Sequence, residues 1–162
     1  MYWKGHYGIT LLLATPISAA LIVTGHPSIA YLVTGLMLST SVLPDVDRKL
    51  PLVTHRGPTH TVWFGAGIGV LGAGFFGNSL PPSTLPFGLS HTMFVTIIFL
   101  GMTAGILSHL LGDIITHSGI QPFAPLSTTT YTLHLTTAAN STLNAVLFTS
   151  GLLIWALTMG LN

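Results

Sequence analysis

Charge is the feature that most constrains this chain: its 162 residues include only four Lys or Arg and three Asp or Glu. These types make up roughly a quarter of an ordinary soluble domain, but here they are 4% of the sequence. An ordinary water-facing surface cannot be built from so few charges, and a soluble globular fold is excluded. The 49% apolar content points instead to lipid as the solvent. A formal net charge of +1 provides no basic face, so no nucleic-acid surface is expected. Cysteine is absent, which removes disulfides, thiolate zinc sites and a thiol nucleophile. Eight histidines stand out against this uncharged background.

Uncharged stretches run over about 8–25, 29–43, 61–77, 92–111 and 143–161. A bilayer span takes about 20 apolar residues, so the chain is expected to form an all-α polytopic membrane helix bundle with about five transmembrane helices. The second stretch is the shortest. The whole of 1–162 reads as a single integral-membrane domain. Lys4 before the first apolar run resembles a signal peptide, but the run is long for one and the rest of the chain is equally hydrophobic. In the third stretch Gly65, Gly69, Ala73 and Gly77 recur every four residues, and the fourth holds Gly101 and Gly105. Such ridges let helix backbones approach closely, most simply within one protomer, with an oligomer contact as the other use. Residues 78–90 are a Pro/Ser-rich turn. Residues 118–141 are Thr-rich, and Tyr131, Leu133 and Leu135 alternate with polar residues as in a short extended segment.

All four basic residues precede the first span or lie between the second and third. The positive-inside bias then places the N-terminus and the 44–60 loop in the cytoplasm. Counting spans puts His6, Asp45, Asp47, His55, Arg56, His60, His109, Asp113 and His117 at that one face, and His26 and His91 at the other.

The same face has the residue types of a metal centre. His109 and Asp113 are four apart, on one face of a helix, where an imidazole nitrogen and a carboxylate oxygen can share an ion. Asp45 and Asp47 in PDVDR are two carboxylates that repel unless a cation lies between them. In HRGPTH, His55 and His60 flank Arg56, whose guanidinium can hold a phosphate bidentately. His6 comes just before the first span. A centre of two or three divalent ions is the simplest account of these groups together; zinc suits the N/O donors best, with manganese and iron also compatible.

The succession HYG, PDVDR, HRGPTH, SHLLGDIITHSG and PFAPLS, over roughly residues 1–127, resembles the YdjM-like family of LexA-regulated, membrane-bound metal-dependent hydrolases. That family is in turn similar to zinc-dependent phospholipase C and the single-strand-specific zinc nucleases. The resemblance implies metal binding by His6, Asp45 or Asp47, His55, His60, His109 and Asp113, and hydrolysis of a phosphoester. The chain has no glutamate to supply the acidic ligand of the phospholipase relatives, so His117 or the second Asp of PDVDR would have to fill that place. His134 has no motif around it and reads as an interfacial side chain.

The expected function is therefore metal-dependent hydrolysis of a phosphoester, with a membrane phospholipid as the candidate substrate, at a cytoplasmic-face site. Asp45 or Asp47 would orient the attacking water, and Arg56 would bind a phosphate oxygen. Two other readings use the same residues. A divalent-cation or proton transporter would spread ionisable groups through the membrane depth, and a non-enzymatic membrane protein would close the coordination sphere around a structural metal.

Overall fold

The computed structural model describes residues 1–49, 51 and 53–160. Five helices carry the chain: α1 (Trp3–Val23), α2 (Pro27–Thr40), α3 (Val62–Ser79), α4 (His91–Ile114) and α5 (Ser141–Gly160). Among the described residues, regular strands are absent, so the all-α membrane bundle expected from composition is the observed class. Among the described residues, four stretches are long and apolar enough to cross a membrane: Trp3–Val23, Pro27–Lys49, His91–Ile114 and Ser141–Gly160. The shortness expected of the second span is made good by a 3₁₀ turn, Pro44–Lys49, that continues α2. The sequence expectation of about five spans agrees with this approximately, α3 being the one helix that falls outside the set. Its six glycines and its Asn78–Ser79 end dilute the hydropathy.

Contacts with α4 set the course of α3. The Gly65 face lies against Ile106, the Gly69 face against Phe99 and Thr103, and the Gly77 face against Val95, so α3 runs antiparallel along most of α4. The α4 glycines turn another way, Gly101 toward Leu36 and Gly105 toward Met37 and Thr40 of α2. Both ridges read from the sequence are thus used inside one chain. A Cβ on Gly69 would come within 2.8 Å of the Phe99 carbonyl oxygen, closer than a side chain tolerates. A third close approach, Gly8 of α1 against Gly151 of α5, has no four-residue repeat to announce it.

Lipid tails are as apolar as Leu, so small residues and hydroxyl pairs hold such helices together. Thr10 and Ser108 share a hydrogen bond of 2.6 Å between α1 and α4. Ser18 and Thr34 share one of 3.2 Å, and Trp155 Nε1 donates to Thr34 Oγ1 at 3.2 Å, tying α1, α2 and α5. The apolar core of Ile29, Ala73, Leu89, Phe94 and Ile98 fills the end of the bundle at which α2 and α4 begin. The opposite end is polar. There the 115–140 segment folds back over the end of α4, with isolated bridges Thr116–Thr136 and Ile120–Tyr131. The extended character expected for this segment is confined to those bridges.

Candidate metal centre

Three short sequence blocks bring their side chains to the polar end of the bundle, each by a local device. Pro44 lacks a backbone N–H and pre-sets its φ, which suits the first position of the Pro44–Lys49 turn. A 3₁₀ turn advances about 120° per residue, so Asp45 and Asp47, two apart, point in different directions. Asp45 turns to His6 and His60, with oxygen-to-Nε2 distances of 3.9 and 3.8 Å, and its Oδ1 lies 3.2 Å from Arg48 Nε. Asp47 turns to the HRGPTH loop. The sequence expectation of one cation shared between the two carboxylates is replaced by two separate environments.

Asp47 is buried and organises that loop. It accepts hydrogen bonds from His55 Nδ1 at 2.8 Å, from the Arg56 backbone N–H at 3.0 Å and from Thr59 Oγ1 at 2.9 Å. Arg56 adopts a left-handed backbone, φ 63°, a conformation that costs a non-glycine residue on the order of 1–3 kcal/mol. Its N–H thereby reaches Asp47, while its guanidinium reaches Asp113 Oδ1 at 3.2 Å and the Gly119 carbonyl at 3.0 Å. The Met1 amino nitrogen also lies 2.8 Å from Asp113 Oδ1.

On α4, His109 and Asp113 share a face as the spacing predicts, with Nε2 and Oδ2 3.5 Å apart. His6 of α1 stacks on His109, ring centroids 3.7 Å apart and planes 8° from parallel. Glycine at 112 makes room for it, since a Cβ there would lie 2.9 Å from His6 Nδ1.

The hydrogen bonds around these rings determine their tautomers. His109 Nδ1 lies 2.8 Å from the Ser41 carbonyl, which only accepts, so Nδ1 carries the hydrogen and Nε2 presents a lone pair. Thr59 spends its single hydroxyl hydrogen on Asp47, so it must accept in its 3.0 Å contact with His60 Nδ1. His60 Nε2 therefore also presents a lone pair. The two Nε2 atoms are 3.2 Å apart, and Asp113 Oδ2 lies 3.4 Å from that of His60. Three electron-rich atoms thus converge in a site where all three side chains are buried, an arrangement able to hold a cation between them. His6 Nδ1 and Nε2, Asp45 Oδ1 and Asp113 Oδ2 are buried atoms with no hydrogen-bond partner. Unsatisfied atoms of this kind are rare in folded proteins, and all of these are metal-ligand types.

Among the described residues, three groups of side chains place ligand atoms within 4.8 Å of one another: His6, Asp45 and His109; Asp45, His55 and His60; and His60, His109 and Asp113. They share Asp45, His60 and His109, so they are overlapping parts of one cluster. The residues fit divalent metal ions in donor chemistry and in the way outer groups orient the imidazoles. The cluster opens on the side of Asp45, His55 and Arg56, whose side chains are 18%, 37% and 14% exposed.

Every ligand candidate from the sequence reaches this cluster or, for Asp47, the loop that orients it; Asp47 lies outside the three groups. His117 also lies outside them: it is exposed and stacks on His134 at 6.0 Å. His26 and His91 are at the other end of the bundle, where His91 Nε2 bonds the Gly77 carbonyl at 3.0 Å. Sequence reading missed Thr59, the Ser41 carbonyl and Gly112. Thr59 lies inside HRGPTH and Gly112 directly precedes Asp113, whereas a backbone carbonyl leaves no mark in a sequence.

Residues 1–161 match the family described as YdjM inner membrane protein. The chain belongs to that family. The match continues past residue 127, where the short blocks end, and takes in α5, the helix that packs on α1 through Gly8 and Gly151. No curated protein and no solved structure matches the chain. Family and apolar helices together make it a multi-pass membrane protein with a buried His/Asp cluster able to bind metal.

Proposed function

We propose that the chain is a membrane-embedded, metal-dependent hydrolase of a phosphoester, acting at the cytoplasmic face on a lipid or other small phosphoester. The observation that carries this reading is the convergence of lone pairs from His60, His109 and Asp113 beside a cluster wall that opens at Asp45, His55 and Arg56. His6, Asp45, His55, His60, His109 and Asp113 would hold two or three divalent ions, zinc foremost. Such ions supply Lewis acidity and make water a nucleophile near neutral pH.

The protein's own groups do the rest. Asp47 holds the protons on His55 Nδ1 and, with Thr59, on His60 Nδ1, keeping both Nε2 atoms free. Asp45, part-exposed at the open side and ion-paired to Arg48, takes the water-orienting role for which either aspartate was a candidate. Arg56 balances the charge of Asp113 and has further N–H donors for a phosphoryl oxygen. A wholly structural metal would leave the half-exposed His55 and the Arg56 opening unexplained. A transport path needs ionisable groups through the membrane depth, and among the described residues they gather at the two ends of the bundle.

The test is elemental analysis of the purified protein, with turnover assays on a soluble phosphodiester and a phospholipid. Native protein should hold metal and hydrolyse at least one substrate, and His109→Ala and Asp113→Asn should lose both properties. Metal-free native protein, or turnover indifferent to both changes, refutes the reading. For orientation, single cysteines at Lys49 and Thr84 in the cysteine-free chain should be labelled from opposite sides of the membrane, Lys49 from the cytoplasm.

A further inference from the structure

The outer face of α3 carries a groove that the cluster does not account for. It has a volume of about 690 Å³, within the range of small-molecule sites. Its floor is Phe64, Gly67 and Leu71 of α3, its far wall includes Pro125, and its end is closed by Gly57 and Pro58. The glycines that pack α3 on α4 are on the other side of the helix. Gly67 has nothing within 4 Å of where a Cβ would stand. Glycine costs a helix about 1 kcal/mol relative to alanine, and helix packing gives no reason for it at 67.

Gly57 and Pro58 directly follow His55 and Arg56 at the mouth of the cluster. The wall containing Pro125 is joined to the same mouth, because Arg56 bonds the Gly119 carbonyl and the Val62 N–H bonds the Pro122 carbonyl at 2.9 Å. The groove is apolar along its length, and beyond its end at the mouth stand the exposed Lys49 and the guanidinium groups of Arg56 and Arg48, which pair with Asp113 and Asp45 and keep further N–H donors for a phosphate. From Trp63 to Leu71 it follows α3 for about 12 Å at ~1.5 Å per residue.

From this continuity and charge pattern we infer that the groove holds an acyl chain of a phospholipid whose phosphate lies at Arg56 and the metal cluster. The inference rests on the proposed hydrolase reading and makes its substrate a lipid phosphoester. The occupied groove aligns the headgroup with the cluster, and the glycine at 67 is the space through which the chain passes.

Gly67→Phe fills the groove without touching the α3–α4 packing. The probes are phosphatidylglycerol with a mid-chain diazirine and a diacylglycerol with the same chain but no phosphate, each applied to zinc-loaded protein in lipid nanodiscs. The phosphate-bearing probe should mark residues 61–71 in excess over the phosphate-free one, and Gly67→Phe should abolish the excess. Equal marking by both probes, or an excess that survives Gly67→Phe, overturns the inference. In turnover, Gly67→Phe should lower phosphatidylglycerol hydrolysis by about tenfold or more and leave a soluble phosphodiester unaffected. A fall on both substrates or on neither also overturns it. Native protein inactive on both substrates counts against the hydrolase reading, and the labelling result then decides the groove.

Discussion

Asp47→Asn separates a carboxylate that orients ligands from one that binds metal. The Asp47 carboxylate receives His55 Nδ1–H on Oδ1, and the Arg56 N–H and Thr59 O–H on Oδ2. An asparagine keeps its oxygen on the two obligate donors, Arg56 N–H and Thr59 O–H, so its NH₂ faces His55 Nδ1. His55 must then accept at Nδ1 and move its hydrogen to Nε2, the nitrogen that would otherwise be free for an ion. His60 Nδ1, 3.3 Å from Asp47 Oδ2, loses the negative charge that supports its basicity. Loss of an outer partner typically weakens metal affinity 10- to 100-fold, which is about 1.4–2.7 kcal/mol. A chain of this size shifts by roughly 2–4 °C per kcal/mol. The thermal stabilisation given by a fixed excess of zinc should therefore shrink by about 3–11 °C in Asp47→Asn. The assay is thermal unfolding of detergent-solubilised protein across a zinc titration, with metal-free midpoints as the baseline. An unchanged zinc-dependent shift in Asp47→Asn would refute the orienting role, and a native protein that gains no stability from any divalent metal would refute the centre itself.

Gly105→Val should destabilise the bundle by about 1–3 kcal/mol, because a side chain there drives into Met37 and Thr40 of α2, whereas Gly35→Ala, which meets open space, should be neutral or slightly stabilising; unfolding midpoints compare the two. His117→Ala and His134→Ala should leave metal content unchanged and shift stability by no more than about 0.5 kcal/mol, since both rings are exposed and stack on each other away from the cluster; loss of a metal ion in either variant would show that the centre extends to them.

Membrane residence and helix content were legible because they depend on composition: a chain with so few charges has no other solvent, and only satisfied backbone crosses lipid. The His109–Asp113 pairing was legible for a similar reason, since helical periodicity alone aligns residues four apart. Convergence of His6, Asp45, His55 and His60 on that pair followed from counting spans, even though α3 owes its course to packing on α4 more than to its own hydropathy.

The division of labour between Asp45 and Asp47 was decided only by the tertiary structure, since the same two letters serve a shared ion or two different environments according to the turn that Pro44 starts. So too were the tautomers of His60 and His109, which are fixed by a threonine hydroxyl and a backbone carbonyl brought from other segments. The pattern of residues determines which chemical groups reach one end of the bundle. Which atoms face one another there depends on the turn at Pro44 and on hydrogen bonds from Thr59 and the Ser41 carbonyl, groups that only the folded chain brings together.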